Sequence, residues 1–351
     1  MKVLGIETSC DECSAAVVED GEKILSNIIT TQIPFHAPWN GVVPEIASRK
    51  HTEWIYTVTK EALDKANLDV KDISAVAVTS RPGLFGSLLV GLSFAKAFAW
   101  ARNIPFIAVD HMLAHLYAPR LTETGNMQKL EYPFLGLLVS GGHTIICRAD
   151  NFDDITVMGT TIDDAAGEAF DKVAKFYNFG YPGGSVIDKM SRNGDSNAFR
   201  FPMPSLHKGS RTAGSEITSV HRYDVSYSGL KTAVTSQIDK FKVKIDPSNE
   251  DIAASFQKTA VEILLRALLN AAKDTRLSTI VAGGGVAANS YLRSRLAQQH
   301  HLRCIFPPLD LCGDNAAMIA GIGYHYLVRG EQSSLNITSS ARVNGFKKKY
   351  P

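Results

Sequence analysis

The sequence predicts an α/β protein built from two similar halves, and three observations carry that prediction. The stretch "VLGIETSCDECSAAVVEDGEKIL" (3–25) aligns with "FLGLLVSGGHTIICRADNFDDIT" (134–156); each runs from a Leu-Gly-aliphatic strand through a small polar turn into a second β-rich strand. The stretches "ISAVAVTSRPGLFGSLLVGLSFAKAFA" (73–99) and "LSTIVAGGGVAANSYLRSRLAQQ" (277–299) share the order strand, glycine loop, helix. Between them, residues 45–66 and 251–274 repeat apolar residues at helical spacing.

Two such openings, each followed by helices and a strand-glycine-helix unit, match the plan of sugar kinases, actin and Hsp70, the ASKHA fold. Its lobes are RNase H-like, and turns from both are expected to face a central cleft. The expected domains are 1–130 as an actin-like N-terminal lobe, joined by a C-terminal helix at about 325–345, and 131–324 as the C-terminal lobe. The metal and nucleotide site is expected at the interface. A fold of this kind does not by itself name a reaction.

Each element has a local reason. In "MKVLGIETSC" an apolar run reaches Glu7 too soon for a secretory signal core. The longest apolar stretch, "LFGSLLVGLSFAKAFAWA" (84–101), contains Lys96 and small polar residues, so a buried helix is expected and not a membrane span. "IPFIAV" reads as a strand that ends at Asp110-His111, where a helix begins. "AMIAGIGYHYLVRG" (317–330) reads as a helix packing back on a lobe, and the basic tail "NGFKKKYP" as a frayed terminus. A net charge of +2 neither demands nor excludes a nucleic acid partner. Five scattered cysteines point to a reducing compartment, the cytoplasm or an organellar matrix. Cys10 and Cys13 form one C-x-x-C with no further ligands nearby, so reduced thiols beside a turn are expected.

The chemistry-bearing residues come next. His111 and His115 stand at i and i+4 on one helix face, so both imidazoles can reach one ion; the same spacing fits two polar residues on an ordinary helix. Met112 occupies the position where a metalloprotease carries its glutamate, so H-E-x-x-H is absent. Asp314 precedes a helical run, where it is either an N-cap or an oxygen ligand completing a His-His-Asp set suited to iron or zinc. "LLVSGGHTI" (137–145) ends a strand in Ser-Gly-Gly, which is either a plain turn or a backbone cradle for an anion. "VAGGGVAANSYL" (281–292) is the stronger nucleotide signal, with Asn289 placed to hydrogen-bond a ribose or base. "TIDDAAGEAFDKVAK" (161–175) reads as a partly buried helix with Asp164, Glu168 and Asp171 on one face. In "YPGGSVIDK" (181–189) Asp188 lies one turn beyond Gly184.

Taken in order, "GIETSCDE", "GVVPEIASRKH", "RPGL", "VDHMLAH", "LVSGGHT", "IDDAAGEAFDKVAK", "YPGG", "SYSGLKTAV", "VAGGGVAAN" and "CGDNAAMIA" resemble the signature blocks of the tRNA N6-adenosine threonylcarbamoyltransferase family (TsaD/Gcp), formerly misnamed O-sialoglycoprotein endopeptidase. The likeness runs from Lys2 to about Gly330. Cys13, Met203 and Tyr227 depart from the usual pattern. The resemblance implies transfer of a threonylcarbamoyl group from L-threonylcarbamoyladenylate to the exocyclic amine of adenosine 37 in the tRNA anticodon loop, with release of AMP. It implies His111, His115 and Asp314 as ligands of one divalent ion, Fe2+ or Zn2+. It implies Leu138, Val139, Ser140, Gly141 and Gly142 as the substrate loop, and Asp171, Gly184, Asp188 and Asn289 as further substrate contacts. An AMP- or ATP-like nucleotide would occupy the cleft. In bacteria the family works with an inactive paralogue and a small ATPase; organellar forms manage without them.

Such a donor needs positioning and electrophilic help more than a covalent intermediate. Asp11 and Glu12 are candidates for the base that takes the amine proton, with ordinary turn carboxylates as the alternative. The region 199–231 holds Arg200, Lys208, Arg211, Arg222 and Lys231 against Glu216 and Asp224. Its aromatics Phe199, Phe201, Tyr223 and Tyr227 would stack on loop bases, unless the region is a solvated insertion. Two other functions fit the fold. An ATP-dependent phosphotransferase would leave the histidine pair without a task. A nucleotide-gated chaperone would lack a substrate domain.

Overall fold

Val3, Leu4, Gly5 and Ile6 are buried on both sides, which makes the first strand a continuous apolar run and not an alternating one. This strand, β1 (Lys2–Glu7), pairs antiparallel with β2 (Glu12–Glu19), which pairs with β3 (Lys23–Thr31). A short helix α1 (Ile33–His36) and the long α2 (Pro44–Lys65) follow. β4 (Ala75–Arg81) then lies parallel to β1, and after α3 (Phe85–Arg102) β5 (Phe106–Asp110) lies parallel to β4. The sheet order is β3-β2-β1-β4-β5, and α4 (His111–Tyr117) leaves directly from β5.

The second half repeats this plan. β6 (Phe134–Val139), β7 (Thr144–Ala149) and β8 (Ile155–Thr160) are antiparallel neighbours. Helices α5 (Ala166–Phe176), α6 (Gly183–Ser191), α7 (Ser228–Ser236) and α8 (Asn249–Thr275) lead to β9 (Thr279–Gly283), which is parallel to β6. α9 (Ser290–Ala297) and β10 (Arg303–Ile305) follow, then α10 (Ala316–Val328) and a short β11 (Lys347–Lys348) beside β8. The order is β10-β9-β6-β7-β8-β11, the first sheet's order with one strand added. Even the registers agree: Gly5 faces Ala16 and Ala77, and Gly136 faces Cys147 and Val281.

In this computed structural model the described residues are 1–124, 130–204, 206, 221–342 and 347–348. They form two units, Met1–Glu131 with Pro307–Phe346 and Tyr132–Phe306 with Lys347–Pro351. The sequence reading grouped 307–324 with the second lobe; the structure packs that segment in the first. The reason is visible at two glycines. Leu4, Ile6, Val76 and Val78 point to the core shared with α2 and α3, so Gly5 and Ala77 point the other way, toward α10. A Cβ on Gly5 would lie 2.2 Å from the Ala316 carbonyl oxygen, and one on Gly323 2.5 Å from the Ala77 methyl. Small residues on both sides let α10 sit directly on the sheet.

Three further differences have local causes. The helix expected at about 325–345 is not there: α10 ends at Val328, and residues 329–342 run as turns and extended chain. Ser333 donates its N–H to the Phe106 carbonyl (2.8 Å) and its hydroxyl accepts from Ala108 N–H (2.9 Å), covering the open edge of β5. α3 is not wholly buried, since Phe85, Leu89 and Trp100 are exposed on its outer side. α5 starts only at Ala166, so Asp164 lies ahead of the helix and not on its face. No helix among the described residues is long and apolar enough to cross a membrane.

Candidate metal centre

Asp110 ends β5 and caps α4, accepting from the N–H groups of Met112 (3.0 Å) and Leu113 (3.4 Å). That cap fixes the start of a short helix, so His111 and His115 stack one turn apart, and both are buried. Asp314 arrives from far along the chain. The N-cap role open to it belongs to its neighbour: Asn315 accepts from Met318 N–H (3.1 Å) and donates to the carbonyls of Gly313 and Leu311. Asp314 is thereby released to face the histidines. Its Oδ1 lies 3.2 Å from His115 Nε2 and 3.4 Å from His111 Nε2, and the two Nε2 atoms are 3.1 Å apart. All three residues lie in the first unit.

These separations fit an ion. Bonds of about 2.0–2.1 Å in a tetrahedral set place neighbouring donors roughly 3.3 Å apart. Two imidazole nitrogens and one carboxylate oxygen, with further positions open, suit zinc or ferrous iron. The electrostatics agree. Burial works against a charged His111, but the carboxylates of Asp314 and Glu7 outweigh it and hold the imidazole well above its usual value. His115 moves the other way, lowered by burial and by the neighbouring His111 cation. Burial also opposes charge on Asp314 and Glu7, yet His111 keeps both carboxyls ionised, Asp314 far below its usual range. The cluster is arranged around one positive charge at the point where three donor atoms meet.

Glu7 is the functional residue the sequence reading passed over. It is fully buried at the end of β1, and its Oε2 accepts from His111 Nδ1–H (3.0 Å). Thr79 Oγ1 donates to the same oxygen, and Ser9 N–H donates to the other (2.5 Å). A carboxylate on the far nitrogen fixes which nitrogen of His111 presents its lone pair to an ion. The available signal was an acidic residue closing an otherwise apolar strand.

Asp11 ends the β1–β2 turn of the same unit and is buried, and Glu12 opens β2 and is half-buried. Burial, then the nearby Asp11 and Asp314, pushes the Glu12 carboxyl well above its ordinary value. The Cys10 thiol is pushed up for the same reasons.

In the second unit, Leu138 and Val139 are buried in β6, and Ser140, Gly141 and Gly142 form the turn to β7. Ser140 N–H donates to the His143 carbonyl (2.8 Å), while open space stands beside Gly141 and Gly142 where a Cβ would be. Gly284 supports this turn: its φ is +92°, and a Cβ there would meet the Val139 oxygen at 2.3 Å. Asp171 accepts from Gly183 N–H (2.7 Å), and Gly184 also faces open space. Asp188 accepts from Ser290 N–H (3.0 Å) and Oγ (2.8 Å), and from Arg192 Nη2 (3.2 Å). Asn289 caps α9 and donates to Gln257 Oε1 (2.7 Å). These polar groups tie α5 to α6, α6 to the start of α9, and α9 to α8.

The aromatic half of the surface read at 199–231 is corrected by burial. Phe199, Phe201, Tyr223 and Tyr227 are buried, so they serve the core and not bases. Arg222 pairs with Asp274, and Lys231 with Asp164 (2.6 Å). Lys208, Arg211 and Glu216 lie outside the described residues.

Two units with the strand order of one another, the first carrying a converging His-His-Asp cluster, define an ASKHA-fold protein equipped to bind a metal ion. HypF from T. kodakarensis shares the fold over 93% of this chain and 48% of its own, at TM-score 0.59 and 13% identity. Component A of the (R)-2-hydroxyglutaryl-CoA dehydratase of Acidaminococcus fermentans does so over 93% and 99%, at TM-score 0.55 and 14% identity. Residues 23–321 match the family model described as TsaD, tRNA N6-adenosine threonylcarbamoyltransferase. Proteins of that name from Treponema denticola and Borreliella burgdorferi (strain ZS7) are 64% and 50% identical, over 99% and 100% of this chain and 99% and 96% of theirs. The chain belongs to the tRNA N6-adenosine threonylcarbamoyltransferase family, and it is a transferase enzyme.

Proposed function

We propose that the protein moves the threonylcarbamoyl group of L-threonylcarbamoyladenylate onto the N6 amine of adenosine 37 in tRNA and releases AMP. The observation that carries this is the buried convergence of His111, His115 and Asp314, braced by Glu7, in a chain matched along its length by that family. A divalent ion, Zn2+ or Fe2+, held by those three residues would supply Lewis-acid stabilisation of the charge that grows as AMP leaves.

The chain's own residues do the rest. The amine nitrogen attacks the carbamate carbonyl carbon, the carbon–oxygen bond to phosphate breaks, and AMP departs with the electron pair. The nitrogen then gives up a proton. Asp11 and Glu12, side by side in the first unit, are the candidate acceptors. Ser140, Gly141 and Gly142 present a turn on which backbone N–H groups can meet an anion, with Leu138 and Val139 fixing its root. Asp171, Gly184, Asp188 and Asn289 surround the donor's nucleotide, and the carboxylates and the amide exchange chain partners for its hydroxyls or base.

An inactive paralogue and a small ATPase are the proposed partners. Phe85, Leu89 and Trp100, exposed along α3, offer the paralogue an apolar stripe. The five cysteines are free thiols, which supports a cytoplasmic location for the enzyme. The test combines purified protein, zinc or ferrous iron, labelled threonylcarbamoyladenylate and unmodified tRNA, with and without the two partners. Label at adenosine 37 with matching AMP is expected. Label that never enters RNA in any combination overturns the reading.

A further inference from the structure

We propose that residues 33–39 are a stacking platform for single-stranded tRNA bases, an inference that rests on the function proposed above. The stretch "IPFHAPW" forms α1 and then a 3₁₀ turn over Ala37–Trp39. Phe35 and Trp39 stand at i and i+4, 42% and 62% exposed. Both rings keep part of their surface turned to solvent on this knuckle.

The knuckle is held rigid. Pro34 and Pro38 restrict its backbone. His36 is buried beneath it, its Nε2 3.3 Å from Gln32 Oε1 and its Nδ1 accepting from Val43 N–H (3.3 Å). The Gln32 side chain also donates to the Ala47 carbonyl (3.4 Å), which fastens the knuckle to α2. A rigid aromatic pair loses little entropy when a base stacks on it.

Position argues for RNA. Gln32 N–H donates to the Asp11 carbonyl (2.9 Å), and His51 Nε2–H donates to the Cys10 carbonyl (2.9 Å). The base of the knuckle is therefore tied by hydrogen bonds to the turn that carries Asp11. If the target amine reaches that turn, the nucleotides beside it are unpaired loop bases, and these exposed rings can stack on them. Lys50 Nζ lies over the Phe35 ring, 4.6 Å from its centre, and Trp54 packs against Phe35 at 5.7 Å, so the platform is braced by its neighbours on α2. Lys50 and the adjacent Arg49 are each accompanied by an acid, Glu53 and Glu45. Stacking is thus the recognition chemistry here, and phosphate attraction is not.

The experiment measures KM for unmodified tRNA, kcat, and the salt dependence of tRNA affinity for the full protein with its partners and for Phe35→Ala, Trp39→Ala, Phe35→Tyr and Trp39→Phe. Each alanine variant is expected to raise the tRNA KM by roughly five- to a hundredfold. The conservative variants should keep affinity near the parent's, and the slope of affinity against salt should not change. Donor affinity, read by threonylcarbamoyladenylate binding without tRNA, should not change either. An unaltered tRNA KM in both alanine variants overturns the platform while leaving the transferase reading intact. So does loss of paralogue binding with tRNA affinity preserved, which would make the knuckle a protein contact. A parent enzyme that labels no tRNA defeats the transferase reading instead.

Discussion

Replacing Glu7 by glutamine tests the metal centre at the residue that touches no ion. The carboxylate accepts from three directions: His111 Nδ1 at 3.0 Å, Thr79 Oγ1, and Ser9 N–H at 2.5 Å. A glutamine keeps one acceptor oxygen and turns an NH2 group toward at least one of those donors. The site is fully buried, so no water relieves the clash. An unsatisfied buried polar group costs about 1–3 kcal/mol, and loss of the carboxylate behind a metal-binding histidine lowers metal affinity by about 10–100-fold. At about 1.4 kcal/mol per tenfold, the loss in ion binding is about 1.4–2.8 kcal/mol. The assay is a competition titration of zinc against a chelator for parent, Glu7→Gln and His115→Ala, with melting curves taken with and without zinc. Glu7→Gln should fall between the other two in affinity, and zinc should raise its melting temperature less than the parent's. A Glu7→Gln protein that holds zinc within twofold of the parent refutes the reasoning.

Gly5→Ala forces a methyl to within 2.2 Å of the Ala316 oxygen, so α10 must shift; a loss of about 1–3 kcal/mol in urea unfolding and weaker zinc binding are expected together. Stability of the metal-free protein should peak near pH 6.5, because the lowered His115 costs stability as pH falls below that reference value. The lowered carboxyls of Glu7 and Asp314, with reference values 4.5 and 3.8, give stability above those values that is lost as pH falls. The raised His111 gives stability below 6.5 that is lost as pH climbs through its higher folded value. Zinc must displace that proton, so zinc affinity should rise with pH over the same range, and melting curves across pH with and without zinc check both slopes. Gly284→Ala places a side chain at φ +92° and 2.3 Å from the Val139 oxygen, so donor affinity should drop at least several-fold in equilibrium binding while zinc affinity, seated in the other unit, stays at the parent's value.

The duplication was legible because it rests on strand periodicity and glycine placement, and Leu4 and Leu135 open hairpins of identical register. The histidine pair was legible because i and i+4 is a helical spacing. Asp314 was an open choice, since Asp and Asn side by side both cap helices, and only packing shows that Asn315 takes the cap. Glu7 was invisible as a partner of His111, because nothing local relates a strand's last residue to a helix more than a hundred positions later. The aromatics of 199–231 misled for a related reason. Composition cannot tell a ring that packs inward from one that faces water, and there the rings pack inward, whereas Phe35 and Trp39 do not. The boundary near 324 depended on how closely α10 approaches β1, which two glycines decide without any mark in hydropathy.

The first unit is spliced from both ends of the polypeptide: His111 and His115 come early, and Asp314 comes 199 residues after the second of them. On the ribosome, almost all of the second unit is available before the first can be finished, so the order of folding runs against the order of numbering. A nascent chain stopped at Phe306 has two imidazoles and no carboxylate to close the set. Ion capture then becomes a late checkpoint of synthesis, reached only when α10 emerges and seats on β1.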